Sequence, residues 1–169
     1  PVKEHYHTNP LNYYAISKEN NEKTANFFSQ IGSTKFIGLR FFSIYGEYGR
    51  PDMLIYKILN CHEKKKIFYL NNNGNHSRDF TYINDAVLII EKLIRKSLKN
   101  KNEIFNISNT QMIKLSTLIN LMSQNGINPK IRKRGFQKGD IKDACGNNAK
   151  IKRILNNKKF TSFKTGLEK

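Results

Sequence analysis

Residues 13–42, YYAISKENNEKTANFFSQIGSTKFIGLRFF, set the reading of this chain. From Tyr13 to Gln30 the run holds neither Gly nor Pro, and apolar residues fall at Tyr14, Ile16, Ala25, Phe27 and Phe28. That pattern predicts a helix, closed by Gly32 just after Ile31. Lys35–Phe42 is an apolar and aromatic run of strand length, which predicts a buried strand.

The alternation continues outward. Residues 1–12, PVKEHYHTNPLN, contain two prolines and no period, and read as a loop. Residues 43–52, SIYGEYGRPD, carry Gly46, Gly49 and Pro51 and read as a loop after the strand. Met53–Glu63 then fits a helix and Lys66–Leu70 a strand, with a turn in the following NNNGN. Arg78–Ile83 alternates as a strand should, and Asn84 or Asp85 is placed to cap a helix running to Arg95. Glu103–Ser108 reads as a strand, Leu115–Gln124 as a helix, Lys130–Lys133 as a short strand and Ala149–Leu155 as a last helix. Strands alternating with helices predict an α/β fold. There is no internal repeat and no low-complexity linker.

Composition narrows the function. The 169 residues hold 30 Lys+Arg against 13 Asp+Glu, a formal net charge of +17. Such an excess suits a phosphate-binding surface. Lys is scattered, however, with dense patches only at Lys64–Lys66 and Lys130–Arg134, and Asn occurs in runs. A base-reading protein uses clustered Arg for bidentate contacts, so the charge reads as a basic surface and no nucleic-acid partner is expected. A non-catalytic basic module for nucleic acid or another polyanion is the alternative from a different class. No apolar run reaches the ~18–20 residues of a membrane span. Cys61 and Cys145 stand far apart, and His5, His7, His62 and His76 have no metal-ligand spacing. His5 and His7 would share one face of a strand but supply only two ligands. No disulfide or metal is expected, and the expected location is the cytoplasm.

The sharpest chemical pair is Tyr14 and Lys18 in YAISK. Four residues apart on a helix, they share one face. An ammonium beside a phenol favours the phenolate, and a tyrosine so poised can exchange a proton with a sugar or alcohol hydroxyl near neutral pH.

The order of motifs goes further. NYYAISK is followed by GLRFF, SIYGEYGRPDM, GNHSRDFTYINDAV, QKGDI and FTSFKTGLEK. In that order and spacing the chain resembles the extended short-chain dehydrogenase/reductase superfamily, within it the NAD-dependent nucleotide-sugar epimerases and dehydratases. RFFSIYGEYGRPDM is most similar to the UDP-glucuronate 4-epimerase branch. The resemblance covers nearly the whole chain. It implies the C-terminal part of a Rossmann-like doubly wound fold together with a smaller substrate-binding α/β subdomain. Residues 1–50 and about 78–108 would contribute to the Rossmann-like sheet and active-site helix, and about 51–77 and 109–169 to the substrate-binding subdomain. The family's G-x-x-G-x-x-G phosphate cradle is not in these residues, nor is its third catalytic hydroxyl. The expectation is a fragment whose N-terminal cofactor-binding half is missing, inactive by itself.

The resemblance also implies roles. Tyr14 would take the proton of the sugar C4 hydroxyl while hydride passes to NAD, and Lys18 would hold the nicotinamide ribose. The 4-keto sugar would turn and take the hydride back on its other face, giving C4 epimerisation. Ser43, Arg50, Arg78 and Asp140 would bind the substrate, expected to be a UDP-sugar. A nucleotide-sugar 4,6-dehydratase is the alternative within the class. By the same analogy the full-length enzyme would be a homodimer. Three departures from the family pattern stand out: Glu47 replaces the usual Pro of Y-G-P, Lys138 replaces the Pro of Q-P-G-D, and Gly146 falls where the family often has Asp.

Overall fold

The computed structural model describes residues 1–136, 141–157 and 159–168. The element order is α1 (Tyr13–Ile31), β1 (Phe36–Phe41), β2 (Ser43–Tyr45), α2 (Leu54–Glu63), β3 (Ile67–Leu70), β4 (Ser77–Tyr82), α3 (Ile83–Arg95) and β5 (Asn102–Ile107). It continues with β6 (Met112–Lys114), α4 (Leu115–Gln124), β7 (Lys130–Lys133), β8 (Asp143–Ala144), α5 (Ala149–Ile154) and α6 (Phe163–Leu167). The chain is α/β, as its alternation predicts.

β1 and β5 pair in parallel from Phe36 opposite Asn102 to Phe41 opposite Ile107. β4 is the hub of a second sheet, parallel to β2 and β8 and antiparallel to β6. β3 and β7 form a third, parallel pair. Parallel pairing needs crossovers, and the helices between strands supply them. One apolar cluster joins Tyr45, Ile58, Phe68, Phe80, Tyr82, Leu118, Met122 and Phe163. The other joins Ala86, Ile89 and Leu93 of α3 to Phe105, Ile107, Ile151 and Leu155.

Several local expectations need correction. Residues 43–45 are not loop: Ser43, Ile44 and Tyr45 pair with Phe80, Thr81 and Tyr82. Neither Asn84 nor Asp85 caps α3, whose N-cap is Tyr82 without a side-chain bond. Asp85 instead accepts from the Thr161 N–H at 2.7 Å, and its charge still suits the helix N-terminus. Gly32 does close α1, but through extended backbone rather than a left-handed turn. β6, β8 and α6 span only two to five residues, too few to display a period. His5 and His7 lie exposed outside any strand.

The strongest constraint on the fold is polar. Asp79, fully buried at the centre of β4, accepts from the backbone N–H groups of Asn109, Thr110 and Gly146 at 3.0, 3.1 and 3.2 Å. Ser108 Oγ donates to the same carboxylate. These donors lie just beyond the end of β5 and just beyond β8, so one carboxylate ties three strands together. Thr110 is held at φ 62°, a left-handed conformation unfavourable for a β-branched residue.

Another region is thinly covered. α1 has 19 residues, of which Ser29 alone is buried, while Tyr13, Ile16, Phe27, Phe28 and Ile31 are exposed. Among the described residues β1 pairs only with β5, leaving its other edge open. An open strand edge beside exposed apolar side chains is a surface that seeks a partner.

Replacing Asp79 by Ala strips several buried donors of their acceptor, each loss costing about 1–3 kcal/mol. Asp79→Ala is expected to lower unfolding free energy by at least about 3 kcal/mol in urea titrations, and Asp79→Asn by less.

Candidate active site

The Tyr14–Lys18 pair forms as its spacing predicts. Asn12 caps α1 by accepting from the Ala15 N–H at 2.9 Å, which fixes the first turns. Lys18 Nζ lies 5.4 Å from the centroid of the Tyr14 ring. Tyr14 is 72% exposed, so its phenol is accessible. Both residues line a groove of about 560 Å³ between α1 and β1, floored by Ile37, Leu39 and Phe41. Arg40 closes part of that groove in a two-pronged ion pair with Glu22, both bonds at 2.7 Å. Hydrogen bonding to the Glu22 carboxylate raises the Arg40 pKa, so its charge is fixed.

Ser43, Arg50 and Arg78 come together separately, around a cavity of about 220 Å³ beneath α2. Ser43 is delivered by β2. Arg50 is delivered by a loop that Tyr56 of α2 clamps: its hydroxyl donates to the Gly46 carbonyl at 3.0 Å and accepts from the Gly49 N–H at 3.2 Å. The clamp explains both glycines. Gly46 has φ +128° with Ile83 packed against it, and a Cβ on Gly49 would meet the Tyr56 ring at 2.2 Å. Arg50 itself forks onto Asp52 at 2.9 and 2.6 Å on the exposed rim. Its pKa is raised chiefly by that carboxylate.

Arg78 occupies the key position. With Leu54 it also lines a second cavity of about 250 Å³, which contains Lys57, Tyr69, Asn71 and His76. Its Nη1 donates to the carbonyls of Ser77 and Lys142 at 2.9 and 3.1 Å, which hold the guanidinium against the wall shared by the two cavities. The second cavity was not visible in the sequence, because its residues are scattered over α2, β3 and the turn before β4. His76 is 3% exposed, and its Nε2 has no hydrogen-bond partner. At the rim the Arg134 guanidinium stacks 3.4 Å from the centre of the Tyr69 ring. Asp140 and Lys138 lie outside the described residues.

Two other phenols are structural. Burial pushes the Tyr45 pKa well above its ordinary value, and its hydroxyl donates to the Phe163 carbonyl at 3.2 Å. Tyr82 donates to both oxygens of Glu47 at 2.7 and 2.9 Å, and that carboxylate raises the Tyr82 pKa. The negative charge introduced at Glu47 is thus engaged by Tyr82. Among the described residues no cluster of three or more His, Cys, Asp or Glu is placed to hold a metal, and no helix is long and apolar enough to cross a membrane.

Chemically, two guanidinium groups and a hydroxyl around one cavity suit an anion with oxygens on several sides. Lys57, on the far side of Arg78, extends the positive field into the second cavity. The α1 pair lies apart, in a groove that shares no lining residue with the first cavity.

The uncharacterized protein MJ1055 of Methanocaldococcus jannaschii is 36% identical over 162 residues, covering 95% of this chain and 49% of that protein. UDP-glucuronate 4-epimerase 4 of Arabidopsis thaliana is 31% identical, covering 95% and 40%. The structure of UDP-glucuronic acid 4-epimerase from Bacillus cereus, in complex with UDP-glucuronic acid and NAD, superposes with a TM-score of 0.90. At 23% identity over 99% of this chain and 54% of that one, it shows a shared fold. The chain spans about half the length of the relatives it matches. The model of the NAD dependent epimerase/dehydratase family matches residues 1–108. With well over half its length so matched, the chain belongs to the NAD dependent epimerase/dehydratase family.

Proposed function

We propose that this chain carries the substrate-binding and proton-transfer side of a nucleotide-sugar 4-epimerase of the UDP-glucuronate type. The observation that carries the reading is the position of Arg78 on the wall common to two cavities. A nucleotide sugar has its diphosphate between two bulky ends, and a guanidinium at the junction of two pockets matches that shape. On one side Ser43 and Arg50 offer a hydroxyl and a cation to a sugar bearing a carboxylate. On the other side Lys57, Tyr69 and Asn71 line the space left for the nucleoside. The family relation and the 31% identity to a UDP-glucuronate 4-epimerase support the same assignment.

The residues present fit one end of NAD: Lys18 offers ammonium donors to ribose hydroxyls in an open, apolar-floored groove. NAD, when bound there, would supply a reversible acceptor for the sugar C4 hydride. Tyr14 removes the C4 hydroxyl proton as the carbonyl forms and gives it back when the carbonyl is reduced. Lys18 Nζ stands 5.4 Å from the centroid of the Tyr14 ring, beside the phenol that moves the proton. Arg50 and Arg78 hold the anionic groups while the 4-keto sugar turns between them.

The chain's own residues contain no Gly-rich phosphate cradle, so turnover requires a cofactor-binding half beyond these residues. The open edge of β1 and the exposed side chains of α1 are where that half would pack. In this reading residues 1–50 and about 78–108 belong with the cofactor-binding sheet and the remainder with the substrate side. The assembled enzyme would be a homodimer working in the cytoplasm.

Three measurements test the reading. The 169-residue chain alone should not interconvert UDP-glucuronate and UDP-galacturonate; measurable turnover by it contradicts the need for a second half. In a protein containing both halves, Tyr14→Phe should abolish turnover while substrate affinity changes little, and retained turnover removes Tyr14 from the chemistry. Arg78→Ala should weaken UDP-glucuronate binding by about 10–100-fold in calorimetric titrations, the cost of one charge-assisted contact.

A further inference from the structure

We infer that the outward face of the β3–β7 pair is a docking surface for an anionic membrane, on which the protein lies without crossing it. The inference is independent of the nucleotide-sugar reading. It concerns positive charge that the groove and the two cavities leave unused.

The sequence has two dense basic stretches, residues 64–66 and 130–134, far apart along the chain. The fold brings them together. β3 begins directly after the first stretch, β7 lies within the second, and the strands run parallel with Ile67 opposite Lys130. Parallel pairing puts both strand starts at one end, so residues 64–66 come to the Lys130 end of the pair. Local bonds hold that end. The N–H groups of Lys65 and Lys66 donate to the His62 and Cys61 carbonyls at 3.2 and 2.8 Å, and the Asn128 N–H donates to His62 Nδ1 at 3.2 Å. Partners in register point to the same side, so Ile67 and Tyr69 share a face with Lys130 and Arg132. The other face carries Phe68 and Leu70 into the apolar cluster, which turns this one to solvent.

The charge at this end of the molecule is unclaimed. Lys64, Lys65, Lys66, Lys130, Arg132 and Lys133 are all exposed. None of them lines the groove or either cavity, and among the described residues none forms an ion pair. Arg134 is set apart, since it stacks on Tyr69 at the rim of the second cavity. Cations spread over a face with no pocket between them suit an extended anionic surface rather than a small anion. Ile67 and Ile131, exposed among them, decide which surface. Nucleic acid is held by arginine forks and free aromatic faces. Here lysine predominates, and one face of Tyr69 is already taken by Arg134. A bilayer of acidic lipids offers a plane of negative headgroups with an apolar boundary beneath, which takes up both the lysines and the isoleucines. A second copy of this chain carries the same excess of +17 and is repelled.

The test is co-sedimentation of the 169-residue chain with vesicles of phosphatidylcholine, alone or mixed with phosphatidylserine. One variant combines Lys64→Gln, Lys66→Gln, Lys130→Gln and Arg132→Gln. A control of equal net charge combines Lys96→Gln, Lys99→Gln, Lys114→Gln and Lys164→Gln, all exposed and away from this face. Affinity for the mixed vesicles should fall about tenfold or more in the first variant and less than about threefold in the control. Ile67→Thr should weaken vesicle binding severalfold, and affinity for a single-stranded RNA oligonucleotide should fall no more in the first variant than in the control. Thermal melts check folding; the pair Lys64→Gln, Lys66→Gln, which precedes β3, replaces the fourfold variant if that one is unfolded, with a loss of about threefold or more expected. Equal losses in variant and control overturn the inference, because net charge alone then explains the attraction. Wild-type binding no tighter to mixed than to phosphatidylcholine vesicles, or no loss in Ile67→Thr, also overturns it. A loss of RNA affinity specific to the first variant, with vesicle binding kept, overturns it in favour of nucleic acid.

Discussion

A single buried carboxylate organises the molecule. Asp79 collects the N–H groups of Asn109, Thr110 and Gly146 and the hydroxyl of Ser108, drawn from two separate stretches of chain. Because side chains alternate along a strand, fixing Asp79 on one face of β4 sends Arg78, Phe80 and Tyr82 to the other. Phe80 and Tyr82 then enter the larger apolar cluster, and Arg78 lines the two cavities. A slip of one residue would bury the guanidinium and expose the carboxylate. The same bond set that stabilises the fold therefore aims the residue on which the proposed ligand geometry depends.

The rest of the site is positioned by second contacts of the same kind. Tyr56 grips both glycines of the loop that carries Arg50, and β2 sets Ser43 by pairing with Phe80. Glu47, where relatives of the resembled branch carry proline, ties its loop to Tyr82. A hydrogen bond thus links this loop to the start of α3. Arg50, by contrast, rests on Asp52 at the exposed rim, where an ion pair contributes little and can yield to an incoming anion.

Much of this was legible in the sequence, because long elements announce themselves. The α1 run without Gly or Pro, the strands at 36–41 and 102–107 and the helix at 115–124 all carry enough residues to display a period. Linked motifs in order singled out Tyr14 and Lys18, which share one groove, and Ser43, Arg50 and Arg78, which share one cavity. The second cavity was not. Lys57, Tyr69 and His76 belong to three elements and share no spacing, so only tertiary packing brings them together. Asp79 was hidden for the opposite reason. An acid inside RDFTYI reads as part of an alternating strand, and nothing local shows that its partners lie some 30 and 67 positions away.

The account's central claim is that a nucleotide sugar crosses from one cavity to the other past Arg78. A crystal structure of the chain with UDP-glucuronate tests this most directly. The account predicts the diphosphate against the Arg78 guanidinium, the glucuronate beside Ser43 and Arg50, and the uracil in the cavity of Tyr69 and His76. A ligand lying in the reverse direction, or bound in the groove between α1 and β1, would contradict it.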